Sequence, residues 1–395
     1  MVFDCPSDPR SVSISRGAAH CDIAPHLVTA KDFAIRPPFR ADQVGSLLRP
    51  PELAEARARW RRGELAAEAL RAIEDRSIRD AVAKQESIGL QSVTDGEFRR
   101  DWWHLDFLSQ LSGVTLKDNP GPRFGDRQEQ PPIATVTGKI GCERPIMAEA
   151  FAFLKSVVRH TPKMTIPSPA MLHLRGGRAA IARDVYPELE SFWSDVAAAY
   201  RKAIGYLAAA GCRYLQIDDV SFAYLCDPKI RDNCRRNGDD PDELPRRYAA
   251  AINAALAGRP QDMVVTMHTC RGNFNSAWVA EGGYDPVAEA MFSTDVDGFF
   301  MEFDNQRSGS FAPLRLLPMG KKAVLGLVTT KLGELESKDL LKRRIDEASR
   351  YAPLENLCLS PQCGFSSTHH GNKLSQDDQW RKLERVVEVA SEVWG

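Results

Sequence analysis

The sequence of 395 residues contains no apolar run long enough to span a membrane and no block of basic residues. Its 52 Lys and Arg residues nearly balance 53 Asp and Glu residues, so the formal net charge at pH 7 is -1. A chain without a basic patch has no electrostatic basis for binding nucleic acid or an anionic lipid surface. We therefore predict a globular protein with neither a membrane nor a nucleic acid as its partner.

The N-terminus also lacks the order of a secretory signal, in which basic residues precede an apolar stretch. Its first residues are interrupted by Asp4, Asp8, Arg10 and Arg16. The nine cysteines are an odd number without regular spacing, which argues against a disulfide framework. These features predict a cytoplasmic protein with free thiols. Residues 1–36 have little periodicity and are predicted to form a poorly ordered leader.

Residues 37–395 are predicted to form one catalytic domain in which short apolar strands alternate with helices. The glycine-rich first turn of a doubly wound sheet is missing. About eight strands are expected, and their alternation with helices indicates parallel pairing. Eight such units close most naturally into an α/β barrel of the (β/α)₈, TIM type. Strand-like pieces around a Pro- and charge-rich centre predict an inserted β-hairpin at about residues 113–142.

The strand predictions rest on apolar runs that stop at polar residues or prolines. They cover residues 40–50, 92–100, 163–169, 214–219, 264–270, 298–304, 323–329 and 357–364. The main helices are predicted at residues 51–89, 187–210, 242–256 and 375–394, the last with Ser375 as its N-cap. In a barrel of this type, the residues just past the strand ends converge on one mouth, so the polar residues there are candidates for a site.

One strand ends in a His-x-Cys pair, His268 and Cys270. Alternate residues of a strand share a face, so both side chains approach one point if the strand continues through them. An imidazole and a thiolate together suit zinc, although such a pair is structural more often than not. Barrel closure would bring Glu302 and Cys363 to the same rim, which completes a tetrahedral set. The alternative is that these two are unrelated rim residues.

Six motifs follow one another in a specific order. They are Gly45-Ser46, Asp95-Gly96-Glu97-Phe98, Gln216-Ile217-Asp218, His268-Thr269-Cys270, Glu302 and Cys363-Gly364. This order resembles cobalamin-independent methionine synthase and, more closely, the short paralogues that carry only the catalytic barrel of that enzyme. The resemblance runs from about Arg40 to Gly395. It implies a catalytic zinc ion held by His268, Cys270, Glu302 and Cys363. It also implies that the amino-acid end of homocysteine is held by Ser46, Glu97 and Asp218.

The implied activity is zinc-dependent methyl transfer to a small-molecule thiol. Homocysteine would give methionine, with methyltetrahydrofolate or another compound as the methyl donor, as in the 5-methyltetrahydropteroyltriglutamate–homocysteine methyltransferases of methionine biosynthesis. The chemistry of the residues agrees, because a free thiol is mostly protonated near neutral pH and metal coordination presents it as a thiolate. Glu97 and Asp218 can each bind an ammonium group, and Ser46 with a backbone N–H can receive a carboxylate.

Two departures from the long synthase leave the methyl donor open. The long enzyme has a second barrel that contributes to folate binding, and Asp219-Val220-Ser221 differs from its Glu-Pro-Ala pattern. Two alternatives therefore stay: zinc-dependent alkyl transfer to another thiol such as coenzyme M, as in epoxyalkane:coenzyme M transferase, and a non-catalytic zinc-binding barrel. The acids Glu97 and Asp218 favour homocysteine over coenzyme M. The oligomeric state also stays open.

Two aromatic segments flank the predicted mouth. Trp102, Trp103 and His104 follow the Glu97 loop and are predicted either to form a shelf for a donor ring or to pack the loop against the barrel. His369 and His370 follow Cys363 closely. They are predicted either to include the proton donor for the departing group or to be solvated loop residues.

Overall fold

The computed structural model of the protein describes residues 36–118 and 131–395. The predicted leader, apart from its last residue, lies outside the described residues. The strands are β1 Ser92–Val93, β2 Ser112–Lys117, β3 Ile133–Gly141, β4 Thr161–Pro167, β5 Tyr214–Asp219, β6 Val264–Thr269, β7 Gly298–Glu302, β8 Lys322–Val328 and β9 Leu357–Pro361. The helices that concern us are α1 Pro51–Arg61, α2 Ala67–Ser87, α3 Leu105–Leu108, α4 Ala148–Val157, α5 Met171–Leu174, α6 Leu189–Ala209, α7 Ser221–Tyr224, α8 Pro228–Arg236, α9 Leu244–Leu256, α10 Ala288–Phe292, α11 Lys338–Ser349 and α12 Gln376–Trp394.

Seven parallel strands form one curled sheet in the order β1-β4-β5-β6-β7-β8-β9. Strands β5, β7, β8 and β9 are buried along their whole length, as expected for a parallel sheet covered by helices. The predicted α/β barrel of the TIM type is therefore confirmed. None of the described helices is both long enough and apolar enough to cross a membrane.

Residues 40–47 occupy the eighth position of the barrel, between β9 and β1. Their one bridge joins Ala41 to Leu359, where the N–H of Asp42 donates to the carbonyl of Leu359 at 3.0 Å. On the other side, the N–H of Leu47 donates to the carbonyl of Gly96 at 3.0 Å. The strand predicted in residues 40–50 is therefore reduced to a single bridge, because the backbone leaves the ladder and turns over the mouth.

A buried ionic network supports this eighth position. Asp42 and Lys163 are both fully buried, and the Lys163 Nζ lies 3.3 Å from the Asp42 Oδ1. The Asp42 carboxylate also accepts hydrogen bonds from the Tyr214 hydroxyl at 2.7 Å and the Ser92 hydroxyl at 2.6 Å. Asp42 thus connects its own segment to β1, β4 and β5.

Most of the predicted elements are found within a few residues of their expected ends. The hairpin is confirmed, since β2 and β3 pair antiparallel. The long helical region predicted at residues 51–89 is two helices, because Gly63 adopts the left-handed φ of +75° between α1 and α2. The predicted N-cap Ser375 forms a capping box with Asp378 at the start of α12. The division into a leader and one catalytic domain stays a prediction.

Candidate active site

Three predicted ligands meet at the carboxyl end of the barrel. His268 lies on β6, Cys270 lies one residue beyond it, and Cys363 lies two residues beyond β9. Their ligand atoms lie within 4.8 Å of one another, and all three side chains are buried. The N–H of Cys270 donates to the carbonyl of Asp219 at 2.9 Å, which extends the parallel ladder past the end of β6. This bond keeps Cys270 on the same face as His268.

The spacing of these three groups fits a zinc ion. The Sγ atoms of Cys270 and Cys363 lie 3.4 Å apart. Two thiolates bound tetrahedrally at Zn–S distances of about 2.3 Å are about 3.8 Å apart, whereas a disulfide requires about 2.05 Å. Both cysteines are free thiols. Within residues 36–118 and 131–395, this is the one group of His, Cys, Asp or Glu residues close enough to hold a metal ion.

The orientation of His268 is set by its neighbours in the sheet. Asp218 pairs with His268 in the register of β5 and β6, and the His268 Nδ1 lies 3.2 Å from the Asp218 Oδ1. The same oxygen accepts a hydrogen bond from the Gln216 amide at 2.7 Å. A carboxylate behind a ligating imidazole is a common way to fix a metal-binding ring. Burial lowers the pKa of His268, but Asp218 and Cys363 outweigh it and raise that pKa to about 10.

The two sulfurs are within hydrogen-bond distance of each other. This hydrogen bond, with burial, raises the pKa of Cys270 well above its usual range. The same hydrogen bond lowers the pKa of Cys363 far below its usual range, against the effect of burial and with help from His268. Both sulfurs bind a metal as thiolates, so metal binding releases the protons that they carry.

Glu302, the fourth predicted ligand, ends β7 and is fully buried, but it lies outside the group of three. Its carboxylate forms an ion pair with Arg307 and lies 3.9 Å from the Lys331 Nζ. It also accepts hydrogen bonds from the Gln362 amide at 3.2 Å and the Arg271 N–H at 3.1 Å. Because all these partners occupy the carboxylate, ligation by Glu302 stays a prediction.

Glu97 and Asp218 are two further buried carboxylates in the same site as the group of three. The Glu97 Oε1 accepts a hydrogen bond from the Thr165 hydroxyl at 2.8 Å and lies 3.7 Å from the Arg100 guanidinium. Burial raises the pKa of Glu97, Arg100 opposes this, and Asp218 raises it further, to about 7. A buried carboxylate whose pKa is raised by a neighbouring acid is stabilised in its charged form by a cation placed beside it.

The loop that carries Glu97 contains two consecutive residues with a left-handed backbone conformation. Gly96 and Glu97 both adopt left-handed φ values, +66° and +59°, and such strain in a non-glycine residue is concentrated at functional sites. Gly45 lies against this loop, and a Cβ there would lie 2.9 Å from the Thr165 Cγ2 and 3.3 Å from the Glu97 Oε1. The glycine leaves room for the Glu97 carboxylate.

Ser46 is positioned by the loop that follows β9. Its hydroxyl accepts a hydrogen bond from the Ser366 N–H at 3.3 Å, and its carbonyl accepts one from the Phe365 N–H at 2.9 Å. A Cβ on Gly364 would lie 2.0 Å from the Ser46 Oγ, so only glycine permits this approach. The motifs Gly45-Ser46 and Cys363-Gly364, distant in sequence, therefore form one contact.

A single cavity with about 710 Å³ of empty space joins these groups. Six of the seven predicted residues line it, namely Ser46, Glu97, Asp218, His268, Cys270 and Cys363. Glu302 does not appear in its wall. Sequence reasoning missed Arg175, Tyr224 and Asn273, which also line the cavity. Arg175 and Tyr224 follow strands β4 and β5, so inspection of every charged or polar residue beyond a strand end would have found them.

The aromatic segments form part of the cavity wall. Trp102 and Trp103 line it, and the Trp102 ring is stacked on Phe274 with centroids 5.9 Å apart and an interplanar angle of 6°. His369 and His370 pack edge-on against Trp102, with centroids 5.7 and 6.0 Å away. The Trp102 ring therefore both packs against Phe274 and faces the cavity, and its role as a shelf for a donor ring stays a prediction.

Comparison with known proteins gives a consistent match. A family model described as cobalamin-independent synthase, catalytic domain, matches residues 39–392. The uncharacterized protein YxjG of Bacillus subtilis is 50% identical over 364 residues, which cover 91% of this chain and 96% of YxjG.

A crystal structure from Listeria monocytogenes, of a candidate vitamin-B12 independent methionine synthase, is 43% identical and superposes with a TM-score of 0.73 over 91% of this chain and 98% of its own. The 5-methyltetrahydropteroyltriglutamate–homocysteine methyltransferase of Bacillus licheniformis is 22% identical over 353 residues. That match covers 89% of this chain but 42% of the methyltransferase, so the similarity is to a part of the longer enzyme.

Proposed function

The chain belongs to the catalytic-domain family of the cobalamin-independent methionine synthases, and from this membership we propose that it is a zinc-dependent methyltransferase that converts homocysteine to methionine. The observation that carries the proposal is the convergence of His268, Cys270 and Cys363 on a cavity that also contains a buried pair of acids. The named homocysteine methyltransferase of Bacillus licheniformis supports the choice of acceptor. The methyl donor is methyltetrahydrofolate or another compound with a transferable methyl group.

Each residue has a defined part in this proposal. His268, Cys270 and Cys363 would hold the zinc ion, and Glu302 would be its exchangeable fourth ligand. When bound, the ion supplies the acidity that keeps the substrate thiol in its reactive thiolate form at neutral pH. Homocysteine then gains a carbon–sulfur bond to the methyl group, while the donor keeps the electron pair of the bond that breaks and takes up a proton.

The amino-acid end of homocysteine is held by the other three predicted residues. Glu97 and Asp218 receive the ammonium group, which relieves the repulsion between two buried carboxylates. The Ser46 hydroxyl donates to the substrate carboxylate. Asp218 has a second task, because the same carboxylate holds the ring of His268.

The test is to incubate the zinc-loaded protein with homocysteine and candidate methyl donors, and to detect methionine by mass spectrometry. A parallel sample with the zinc removed is the control. Methionine that appears only in the zinc-loaded sample supports the proposal. If no donor yields methionine and calorimetry detects no homocysteine binding, the proposal is wrong.

One observation favours a second function, alkyl transfer to coenzyme M. Coenzyme M carries a sulfonate, and Arg175 offers a positive charge in the same cavity. The buried acids Glu97 and Asp218 oppose the binding of a sulfonate near His268, Cys270 and Cys363 and favour an ammonium group. Titration of the protein with each thiol decides between them.

We expect Glu97→Gln to weaken homocysteine binding by about ten- to a hundredfold, because one charge-assisted hydrogen bond to the ammonium is lost. Zinc content should not change. Asp218→Asn should weaken homocysteine binding similarly and also lower zinc affinity, since loss of an outer partner of a ligating histidine costs about ten- to a hundredfold. Calorimetric titration and a zinc competition assay measure the two effects.

The control for this pair is Glu289→Gln, an exposed acid on α10. It should leave both affinities unchanged. Tighter binding of coenzyme M than of homocysteine by the parent protein, unaffected by either acid substitution, would contradict the assignment of the acceptor.

We expect the Glu302→Gln variant to keep substantial zinc but to change how the substrate thiol replaces the fourth zinc ligand. In the parent protein, zinc-edge absorption should show one more sulfur neighbour after homocysteine is added, since a carboxylate oxygen is the most replaceable of the proposed ligands. The glutamine also leaves Arg307 and Lys331 without the charge of Glu302, so a lower unfolding temperature is expected. An unchanged sulfur count in the parent protein would contradict ligand exchange.

A further inference from the structure

Among the polar side chains of the cavity wall to which the proposed function gives no task are Arg175 and His104. Arg175 follows α5, just beyond β4, and His104 precedes α3, beyond β1. Since β1 and β4 are neighbours in the sheet, both side chains stand at the same part of the barrel mouth.

The buried ring of His104 has no hydrogen-bond partner among the described residues, which is energetically unfavourable. It is 2% exposed, and neither of its ring nitrogens has a hydrogen-bond partner among the described residues. A buried polar group without a partner loses its hydration without compensation, typically at a cost of about 1–3 kcal/mol. Burial, and then Arg175, lowers the pKa of His104 well below its usual range, so the ring is neutral with one N–H to donate.

Arg175 lacks a counter-charge. Within residues 36–118 and 131–395, its guanidinium forms no ion pair or hydrogen bond, and its Nε is buried. The other charged groups of the cavity are already engaged: Glu97 by Thr165 and Arg100, and Asp218 by His268. Arg175 is half-buried, so an anion at its guanidinium is screened less by water than an anion at a fully exposed arginine.

We propose that Arg175 and His104 form a binding site for an oxyanion carried by the methyl donor. The inference rests on the proposed function, because the acceptor's ammonium and carboxylate are assigned there to Glu97, Asp218 and Ser46. A guanidinium binds a carboxylate or phosphate through two parallel hydrogen bonds, and the neutral imidazole adds a third donor. The donor is therefore an anionic compound, and the site selects it over a neutral methyl compound of the same size.

Tyr224 links this site to the thiols. Burial raises the pKa of its hydroxyl to about 12, and the group interacts electrostatically with Arg175, Cys270 and Cys363. Tyr224 also lines the cavity and stays protonated and uncharged. The proposal therefore places an anion at Arg175 and a thiol near the cysteines in the same cavity.

The site is tested with simple anions as probes. The zinc-loaded protein is titrated with glutarate, inorganic phosphate and the neutral glutaramide at constant ionic strength, followed by the fluorescence of the cavity tryptophans. We expect saturable binding of at least one anion and none of glutaramide. The ratio of the glutarate and phosphate affinities distinguishes a carboxylate donor from a phosphorylated one.

Variants assign the binding to the two residues. Arg175→Gln should weaken anion binding by about tenfold or more, Arg175→Lys should keep part of it, and His104→Phe should weaken it less than Arg175→Gln. Arg246→Gln, on the exposed face of α9, is the matched control and should bind as the parent does. Circular dichroism verifies that each variant is folded.

Homocysteine titration separates this inference from the proposed function. Arg175→Gln should bind homocysteine with unchanged affinity, and the parent protein should bind homocysteine and glutarate simultaneously. If the parent does not bind homocysteine, the proposed function fails, whatever the anions do. If homocysteine binds but the anions do not, or bind Arg175→Gln equally well, or compete with homocysteine, the anion site is wrong.

Discussion

We expect the parent protein to bind about one zinc ion per chain, and replacement of Cys363 by serine to remove most of it. A serine hydroxyl is neither a thiolate nor easily deprotonated, and thiolates supply much of the free energy of zinc binding. Loss of an outer partner of a zinc ligand already costs about ten- to a hundredfold in affinity, so loss of the ligand itself should cost more. Cys270→Ser should have the same effect, because the two sulfurs lie 3.4 Å apart in the same proposed metal site.

Metal analysis after dialysis against a competing chelator measures this effect. Cys234→Ser is the control, since this thiol is half-buried on α8 and lies outside the group of three. It should retain the zinc of the parent protein. Full zinc occupancy in both Cys270→Ser and Cys363→Ser would mean that the ion is held elsewhere.

Asp42→Ala should destabilise the fold by about 3–5 kcal/mol, the usual effect of leaving one member of a buried ion pair without its partner. Lys163 would keep a single hydrogen bond, to the carbonyl of Gln43. Tyr214 and Ser92 would lose the acceptor of their hydroxyl hydrogen bonds. A urea unfolding curve monitored by circular dichroism gives the change in the free energy of unfolding.

Removal of both charges separates charge from packing. The double variant Asp42→Ala, Lys163→Met has no unpaired buried charge and should recover a large part of the lost stability. Asp184→Ala, at an exposed position, should change the free energy of unfolding little. A double variant as unstable as Asp42→Ala would assign the loss to packing around residue 42 and would contradict the ionic explanation.

The strands and the polar residues beyond them could be predicted because each depends on a local pattern. The run that ends at His268 is β-branched and apolar, and the barrel rule places whatever follows it at the mouth. What the sequence could not supply is the register between strands. The contact of Asp218 with His268 exists because β5 and β6 pair with these two residues side by side. A shift of one residue would have turned the carboxylate away.

The partners of Glu302 show a second limit of sequence patterns. Arg307 and Lys331 come from the loops after β7 and β8, where no periodicity predicts the direction of a side chain. The same holds for Arg175 and His104, which follow different strands and meet in one cavity. Loop side chains are positioned by tertiary packing, so their partners had to be read from the structure.

The barrel has a line of few hydrogen bonds between residues 40–47 and β9, where a single bridge joins Ala41 to Leu359. A ladder with few hydrogen bonds opens by local fluctuation at a lower free energy than the neighbouring ladders, such as β5 with β6. Ser46 and Gly364 lie on the two sides of this line. Transient opening there would separate Ser46, the residue proposed to bind the substrate carboxylate, from Gly364, while β6 stays paired with its neighbouring strands. The segment that carries Ser46 can therefore move without disturbing β6, the strand that carries His268.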